Sequence, residues 1–264
     1  MNRYLEVALE TAQQAGALLL REFGHPSSVE YKTEADLVAS ADRRVEAYIV
    51  ERLGTFFPQH ALVAEEGSRR ESETGYCWYV DPLDGTTNFA HGFPVFSVSL
   101  ALVEGEEFLV GVVHDPTRGE TFHALRGQGA WLNQRRLQVS VTERLGESLL
   151  GTGFPTRKRH QSPNIRYYER FTNLSHGVRR AGSAALDLCS VAAGRFDGFW
   201  EFNLHPWDVA AGALLVREAG GMVTDLKGIS FRLGASSILA SNGRIHEQMR
   251  GVFLELAEPA PRMP

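Results

Sequence analysis

The sequence predicts an α+β fold in one domain of 264 residues. Three observations predict it. Apolar residues recur at helical spacing over 4–23 and 36–53. An alternating stretch over 93–131, broken by turn residues, reads as an antiparallel meander. From 148 onward, short β-branched runs alternate with helical runs rich in small residues. The domain divides into a first half over 1–145, a second over 146–257 and a Pro-rich, frayed tail over 258–264.

The first helix carries Leu5, Ala8, Leu9, Ala12, Ala15, Leu18 and Leu19 on one stripe and stops at Gly24 and Pro26. A short strand is expected over 29–32. The second helix buries Leu37, Val45, Ile49 and Leu53 and contains Asp42. A strand over 61–64 delivers Glu65-Glu66-Gly67 at its end, and 67–75 reads as a polar, mobile connection. A strand over 76–80 ends in Asp81-Pro82-Leu83-Asp84. In the meander, 96–103, 108–114 and 120–125 are strands, joined at Gly105-Glu106 and at Asp115-Pro116-Thr117-Arg118-Gly119. The second half opens with a strand over 148–151 and a basic surface loop containing Arg157, Lys158, Arg159 and His160. A helix over 165–174 follows, and Gly182-Ser183 starts an apolar helix. A strand over 196–201 leads to His205-Pro206-Trp207-Asp208, which opens a helix ended by Gly220-Gly221. Strands over 222–224 and 238–240 and a helix over 244–256 complete the chain.

Bulk composition narrows the function. A hydrophobic content of 43% supports a sizeable core and excludes a disordered chain. A net charge of −5 and a pI of about 6.0 give no electrostatic case for nucleic acid or an anionic membrane. Cys77 and Cys189 sit in apolar surroundings without metal-ligand spacing and read as reduced thiols of a cytoplasmic protein. Glu6 and Glu10 ahead of Leu18-Leu19-Leu20 do not resemble a signal peptide, and no run is long enough to span a membrane.

The chemistry gathers at Asp81-Pro82-Leu83-Asp84-Gly85-Thr86-Thr87. Pro82 presets its own φ and keeps Asp81 out of the α region, so the backbone is ordered before a ligand arrives. Gly85 permits conformations that a Cβ resists. Two convergent carboxylates anchor a hard cation such as Mg²⁺. Taken alone, the same residues equally make an ordinary Asp-Gly turn. Thr86 and Thr87 add hydroxyls beside the turn, and two further acids share the context of Asp81 and Asp84: Glu65 at a neighbouring strand end and Asp208 at a helix start. Asp208 could equally be a helix cap. Gly182-Ser183 presents helix N–H groups suited to an anion, or Ser183 simply caps its helix. If Glu65, Asp81, Asp84 and Asp208 converge, they could hold two Mg²⁺ ions bridged by Asp81. Thr86 would then orient a water and Glu65 accept its proton.

These residues carry a resemblance. Asp81-Pro82-Leu83-Asp84-Gly85-Thr86-Thr87-Asn88-Phe89 resembles the first signature of the inositol monophosphatase family. Trp207-Asp208-Val209-Ala210-Ala211-Gly212, running on to Glu218-Ala219-Gly220-Gly221, resembles the second. Ala64-Glu65-Glu66-Gly67 is similar to the element preceding the first signature, and Lys32 and Asp36-Leu37-Val38 to Asp42 are similar to the family's N-terminal segment. Ala64 stands where Gly is usual and Ala39 where Thr is usual; neither substitution removes a ligand.

The resemblance implies a layered αβαβα sandwich and hydrolysis of a small phosphate monoester, inositol 1-phosphate first. It implies two or three Mg²⁺ ions per site, lithium sensitivity and a homodimer. By the same resemblance Glu65, Asp81, Asp84, Asp208 and the Leu83 carbonyl are metal ligands. Thr86 positions the attacking water, with Asp42 behind it. Gly85 and Thr86 hold phosphate through their N–H groups. Asp84, Gly182, Ser183, Ala184 and Glu201 meet the rest of the substrate, and His205 is structural. Within the superfamily, fructose 1,6-bisphosphate, nucleotide 3′-phosphates and histidinol phosphate are the alternative substrates. Asp84-Gly85-Thr86 also suggests a haloacid-dehalogenase-type phosphatase, but its nucleophilic Asp would fall at position 82, which is Pro. A non-enzymatic metal-binding protein would be expected to have lost a ligand, and none is missing.

Overall fold

Five layers stack in the order helix, sheet, helix, sheet, helix. The structure, a computed structural model, describes residues 2–24, 29–33, 36–154 and 162–257, with the backbone alone for 29–33, 36–40 and 257. Arg157, Lys158, Arg159 and His160 of the expected basic loop, and the tail over 258–264, lie outside the described residues.

In chain order the elements begin with α1 (Arg3–Glu22), β1 (Val29–Thr33), β2 (Asp36–Ala39), α2 (Ser40–Phe56), β3 (Ala61–Ala64), β4 (Arg69–Arg70), β5 (Tyr76–Asp84) and α3 (Thr86–Ala90). The meander follows as β6 (Ser97–Glu104), β7 (Glu107–Asp115), β8 (Glu120–Leu125), β9 (Ala130–Leu132) and β10 (Arg135–Arg136). The second half comprises β11 (Leu149–Thr152), α4 (Asn164–Leu174), β12 (Gly177–Arg179), α5 (Ala184–Ala192), β13 (Gly198–Phe202), α6 (Pro206–Glu218), β14 (Met222–Thr224), β15 (Ser237–Ser241) and α7 (His246–Ala257).

The larger sheet has eight strands in the order β10-β9-β8-β7-β6-β5-β3-β4, and the smaller has five, β12-β11-β13-β15-β14. Strand alternation decides what each face of the larger sheet covers. On one face Trp78, Val80, Val98, Leu100 and Leu102 pack under α1 and α2. On the other, Ala101, Val103, Val113 and Phe122 meet α5 and α6, which also cover Phe199, Ile238 and Ala240 of the smaller sheet. The outer face of the smaller sheet, with Leu150, Trp200 and Leu239, packs on α4 and α7. Full burial of a Val, Leu or Phe contributes about 1.5–3 kcal/mol, so these faces hold the layers together. The small residues of α6 have a packing reason: a Cβ on Gly212 would overlap the Leu188 side chain of α5.

Two local expectations change. The second helix starts at Ser40, not Asp36, because Asp36–Ala39 pairs antiparallel with β1 as β2. The connection over 67–75 is strapped down. Arg70 donates to the carbonyls of His60 (2.7 Å) and Phe57 (3.1 Å), and Ser72 and Thr74 bond the Gln59 carbonyl.

Candidate active site

Asp81 and Asp84 do not lie on a turn; they lie on β5, with a β-bulge between them. Asp81 pairs with Ser99 and Asp84 with Ser97, so three steps on β5 match two on β6. In a regular strand, residues three apart face opposite sides of the sheet. The extra residue of the bulge brings both carboxylates to the same cavity. Pro82 fits this position because it has no N–H to offer a ladder. The Leu83 N–H donates to Asp81 Oδ1 at 3.0 Å, and the Leu83 carbonyl accepts the Thr86 hydroxyl at 3.0 Å. Gly85 then takes φ 98°, and a Cβ there would lie 2.8 Å from the Val95 carbonyl oxygen. Only glycine turns the chain from β5 into α3 without strain.

Neighbouring elements bring the remaining acids to this point. β3 runs parallel to β5, and the Glu65 N–H donates to the Val80 carbonyl at 3.1 Å, which sets Glu65 beside Asp81. Asp42, on the first turn of α2, is buried, and its carboxylate lies within 4.8 Å of those of Glu65 and Glu66. Glu66 also pairs with Arg43 at 3.8 Å. Asp208 is the third residue of α6, after Pro206 at the first; its Oδ2 accepts the His205 N–H at 2.7 Å, a cap for that helix. The exposed His205 ring stacks on Trp207 at 4.8 Å, and the adjacent Asp208 carboxylate raises its pKa.

Ser183 is the N-cap of α5: its hydroxyl accepts the Leu186 N–H at 3.3 Å. The anion at this helix start is a side chain of the protein itself. Asp84 Oδ2 accepts from the Ser183 hydroxyl at 2.6 Å and from the Ala185 N–H at 2.8 Å. Asn88 ties the two halves together again, donating to the carbonyls of Val95 (2.7 Å) and Ala181 (2.9 Å).

The result is one cavity of about 480 Å³. Glu65, Asp81, Leu83, Asp84, Gly85, Thr86, Gly182, Ser183, Ala184, Glu201 and Asp208 all line it. Asp42 stands behind Glu65 rather than on the wall. Sequence reasoning gave no site role to Glu66, Gly153, Arg180 or Asp187, which also line the cavity. Asp187 had a signal, since it sits one helical turn after Ser183 on α5 and so shares its face. Gly153 had none, because its neighbour arrives from another strand. Sequence reasoning also passed over Glu46. It is buried one turn after Asp42, and its carboxylate accepts the N–H groups of Glu66 (2.7 Å) and Ser68 (3.0 Å), fixing the turn that presents Glu65.

Buried carboxyl groups dominate the electrostatics of the cavity. Burial pushes Asp81 well above the usual carboxylate range, and the charges of Glu65, Asp84, Asp208 and Asp42 push it further the same way. Burial likewise raises Asp84 to about 7, despite the opposing hydrogen bond from Ser183. An all-oxygen donor set with this much uncompensated negative charge fits a hard divalent ion such as Mg²⁺.

Residues 1–258 match the model of the inositol monophosphatase family. The chain belongs to that family. It is thus a phosphoric monoester hydrolase, and the family is metal-dependent. Its sequence is 45% identical over 252 residues to the inositol-1-monophosphatase of Synechocystis sp., covering 94% of this chain and 88% of that one. It is 42% identical over 253 residues to the Nus factor SuhB of Escherichia coli, covering 94% and 95%. Among solved structures, the inositol monophosphatase of Anabaena (Nostoc) sp. matches with a TM-score of 0.86 at 41% identity, over 96% of this chain and 95% of that one. The IMPase of Thermotoga maritima matches with a TM-score of 0.90 at 38% identity, over 97% and 98%. The layered fold expected for the family is the one described above. No helix among the described residues is long and apolar enough to cross a membrane.

Proposed function

We propose that the chain hydrolyses inositol 1-phosphate to inositol and phosphate, in a Mg²⁺-dependent reaction in which water is the nucleophile. One observation carries this reading. A buried Asp81 stands among four further carboxylates at one end of a cavity whose lining also includes Glu201, a buried acid suited to hydroxyl groups.

Glu65, Asp81, Asp84, Asp208 and the Leu83 carbonyl would hold the metal. When bound, Mg²⁺ supplies positive charge that neutralises the phosphate oxygens and acidifies a water. The chain's own groups do the rest. Thr86 donates its hydroxyl hydrogen bond to the Leu83 carbonyl, which leaves its lone pairs to accept a hydrogen bond from a water and so aim it at phosphorus. Glu65 takes the proton released by that water, with Asp42 against it. The Gly85 and Thr86 N–H groups hold a phosphate oxygen. Asp84, anchored by Ser183 and Ala185, sits between the phosphate end and the polyol end, where Gly182, Ser183, Ala184 and Glu201 contact the ring. His205 caps α6 and takes no part in proton transfer.

A panel of phosphate monoesters with and without Mg²⁺ tests this. Inositol 1-phosphate should turn over fastest. If fructose 1,6-bisphosphate, a nucleotide 3′-phosphate or histidinol phosphate turned over far faster, the substrate assignment would fail while the phosphatase chemistry stood. We infer also that the chain forms a homodimer, which light scattering would read as twice the chain mass. The relatives named Nus factor SuhB, at 42–46% identity, favour a second role of that kind beside the enzymatic one.

A further inference from the structure

Two buried acids of the cavity wall, Asp187 and Glu201, have no hydrogen-bond partner among the described residues. The two residues are 2% and 7% exposed. Because both line the cavity, a bound ligand can complete their hydrogen bonding. Burial raises Asp187 well above its usual range, and the Glu201 and Asp84 charges raise it further. Burial raises Glu201 to about 8. The positive charge that opposes both shifts is Arg180, on the cavity wall.

Glu201 has a fitted seat. Thr152, the last residue of β11, is in register with Trp200 of β13, which places Gly153 against Glu201. A Cβ on Gly153 would overlap Oε1, Oε2 and Cδ of Glu201 at once, so the carboxyl group rests on bare backbone. That backbone is pinned. Buried Asn164 donates to the Gly153 carbonyl at 2.6 Å and to Thr152 Oγ1 at 2.9 Å, and accepts the Trp200 indole N–H. Thr152 Oγ1 in turn donates to the Trp200 carbonyl at 2.7 Å. The strand that carries Glu201 and the glycine on which it rests are locked into one unit.

We propose that Asp187 joins Glu201 in reading the hydroxyls of a cyclic polyol or sugar monophosphate, with Gly153 as the positioning residue that sets Glu201. This rests on the functional reading above and adds Asp187 and Gly153 to it. Each carboxyl group offers two acceptor oxygens to the hydroxyls of a diol. An aryl phosphate has no hydroxyl for them to read.

The test compares the Mg²⁺-loaded protein on inositol 1-phosphate and on p-nitrophenyl phosphate, with melting curves to establish folding. Asp187→Ala should lower kcat/KM for inositol 1-phosphate about tenfold, mostly through KM, and change the aryl value less than about threefold. Gly153→Ala should show the same bias. Glu201→Asp retracts the carboxyl by one methylene, so adding Gly153→Ala to it should cost little more on inositol 1-phosphate, a strongly non-additive cycle. Equal losses on both substrates, no loss, or additive costs in the cycle would overturn the subsite. A parent protein that hydrolysed the aryl ester but not inositol 1-phosphate would overturn the functional reading, and the subsite with it.

Discussion

Ser183 donates its hydroxyl to Asp84 Oδ2 at 2.6 Å across 99 positions of sequence. The bond joins the end of β5, in the larger sheet, to the first turn of α5, in the middle helical layer. The same Ser183 oxygen accepts from Leu186 to cap α5. Asp84 therefore serves as the anion at a helix N-terminus and faces the cavity as well. Ser183→Ala should lower stability by about 1 kcal/mol through the lost cap and weaken Mg²⁺ binding by freeing Asp84. A melting curve and a Mg²⁺ titration check the two effects separately. Unchanged Mg²⁺ affinity would mean that Asp84 is held by Ala185 alone.

The acids of the cavity set a pH dependence for the metal-free protein. Asp84 stands at about 7 against an ordinary 3.8, and Glu201 at about 8 against 4.5; Asp81 and Asp187 shift the same way. A carboxyl raised in the folded state binds more protons folded than unfolded. Its contribution is complete below the unfolded value and disappears as pH rises through the folded one. With metal removed, the melting temperature should fall between about pH 5 and pH 8. Mg²⁺ should restore more stability at pH 8 than at pH 5, because its ligands must be deprotonated. Melting curves in chelator and in Mg²⁺ across that window measure both. A flat or rising curve in chelator would contradict the charge arrangement.

Glu46 holds the Glu65 turn from behind without lining the cavity. Glu46→Gln keeps its shape but sets an amide NH₂ against one of the two N–H groups of Glu66 and Ser68. Hydrogen bonds to a charged group contribute about 1.5–3 kcal/mol. The substitution should reduce stability by about that amount and raise the Mg²⁺ concentration needed for half-maximal activity. At saturating Mg²⁺, kcat should recover to near the parent value. A loss of kcat that Mg²⁺ does not restore would give Glu46 a direct role in the chemistry instead.

How much of this was legible in sequence depends on how local each cause is. The helical stripes of α1 and α5, the meander and the strand ends bearing Glu65 and Asp81 follow from spacing and turn residues within each segment. Residues 36–39 do not, because their strand pairing with Val29–Thr33 overrides a helix-compatible pattern. The bulge at Asp81–Asp84 was hidden because it exists only relative to the register of β6. From sequence the same residues read as a turn. Asp84, Ser183 and Asp208 were visible as chemistry-bearing residues, but their convergence is a property of the layers. Gly153 carries no local signal, since the group that needs its missing side chain comes from 48 positions away on the neighbouring strand.

The central claim is that the carboxylates around Asp81 bind a divalent cation on which phosphate release depends. The most direct test is the Mg²⁺-dependent release of phosphate from inositol 1-phosphate by the parent and by Asp81→Asn. Melting curves are run on both. The account predicts activity in the parent that vanishes in chelator and returns with Mg²⁺. It also predicts loss of turnover by at least about 10³-fold in Asp81→Asn, with the fold intact. Turnover by Asp81→Asn equal to the parent's, or parent activity indifferent to chelation, would contradict it.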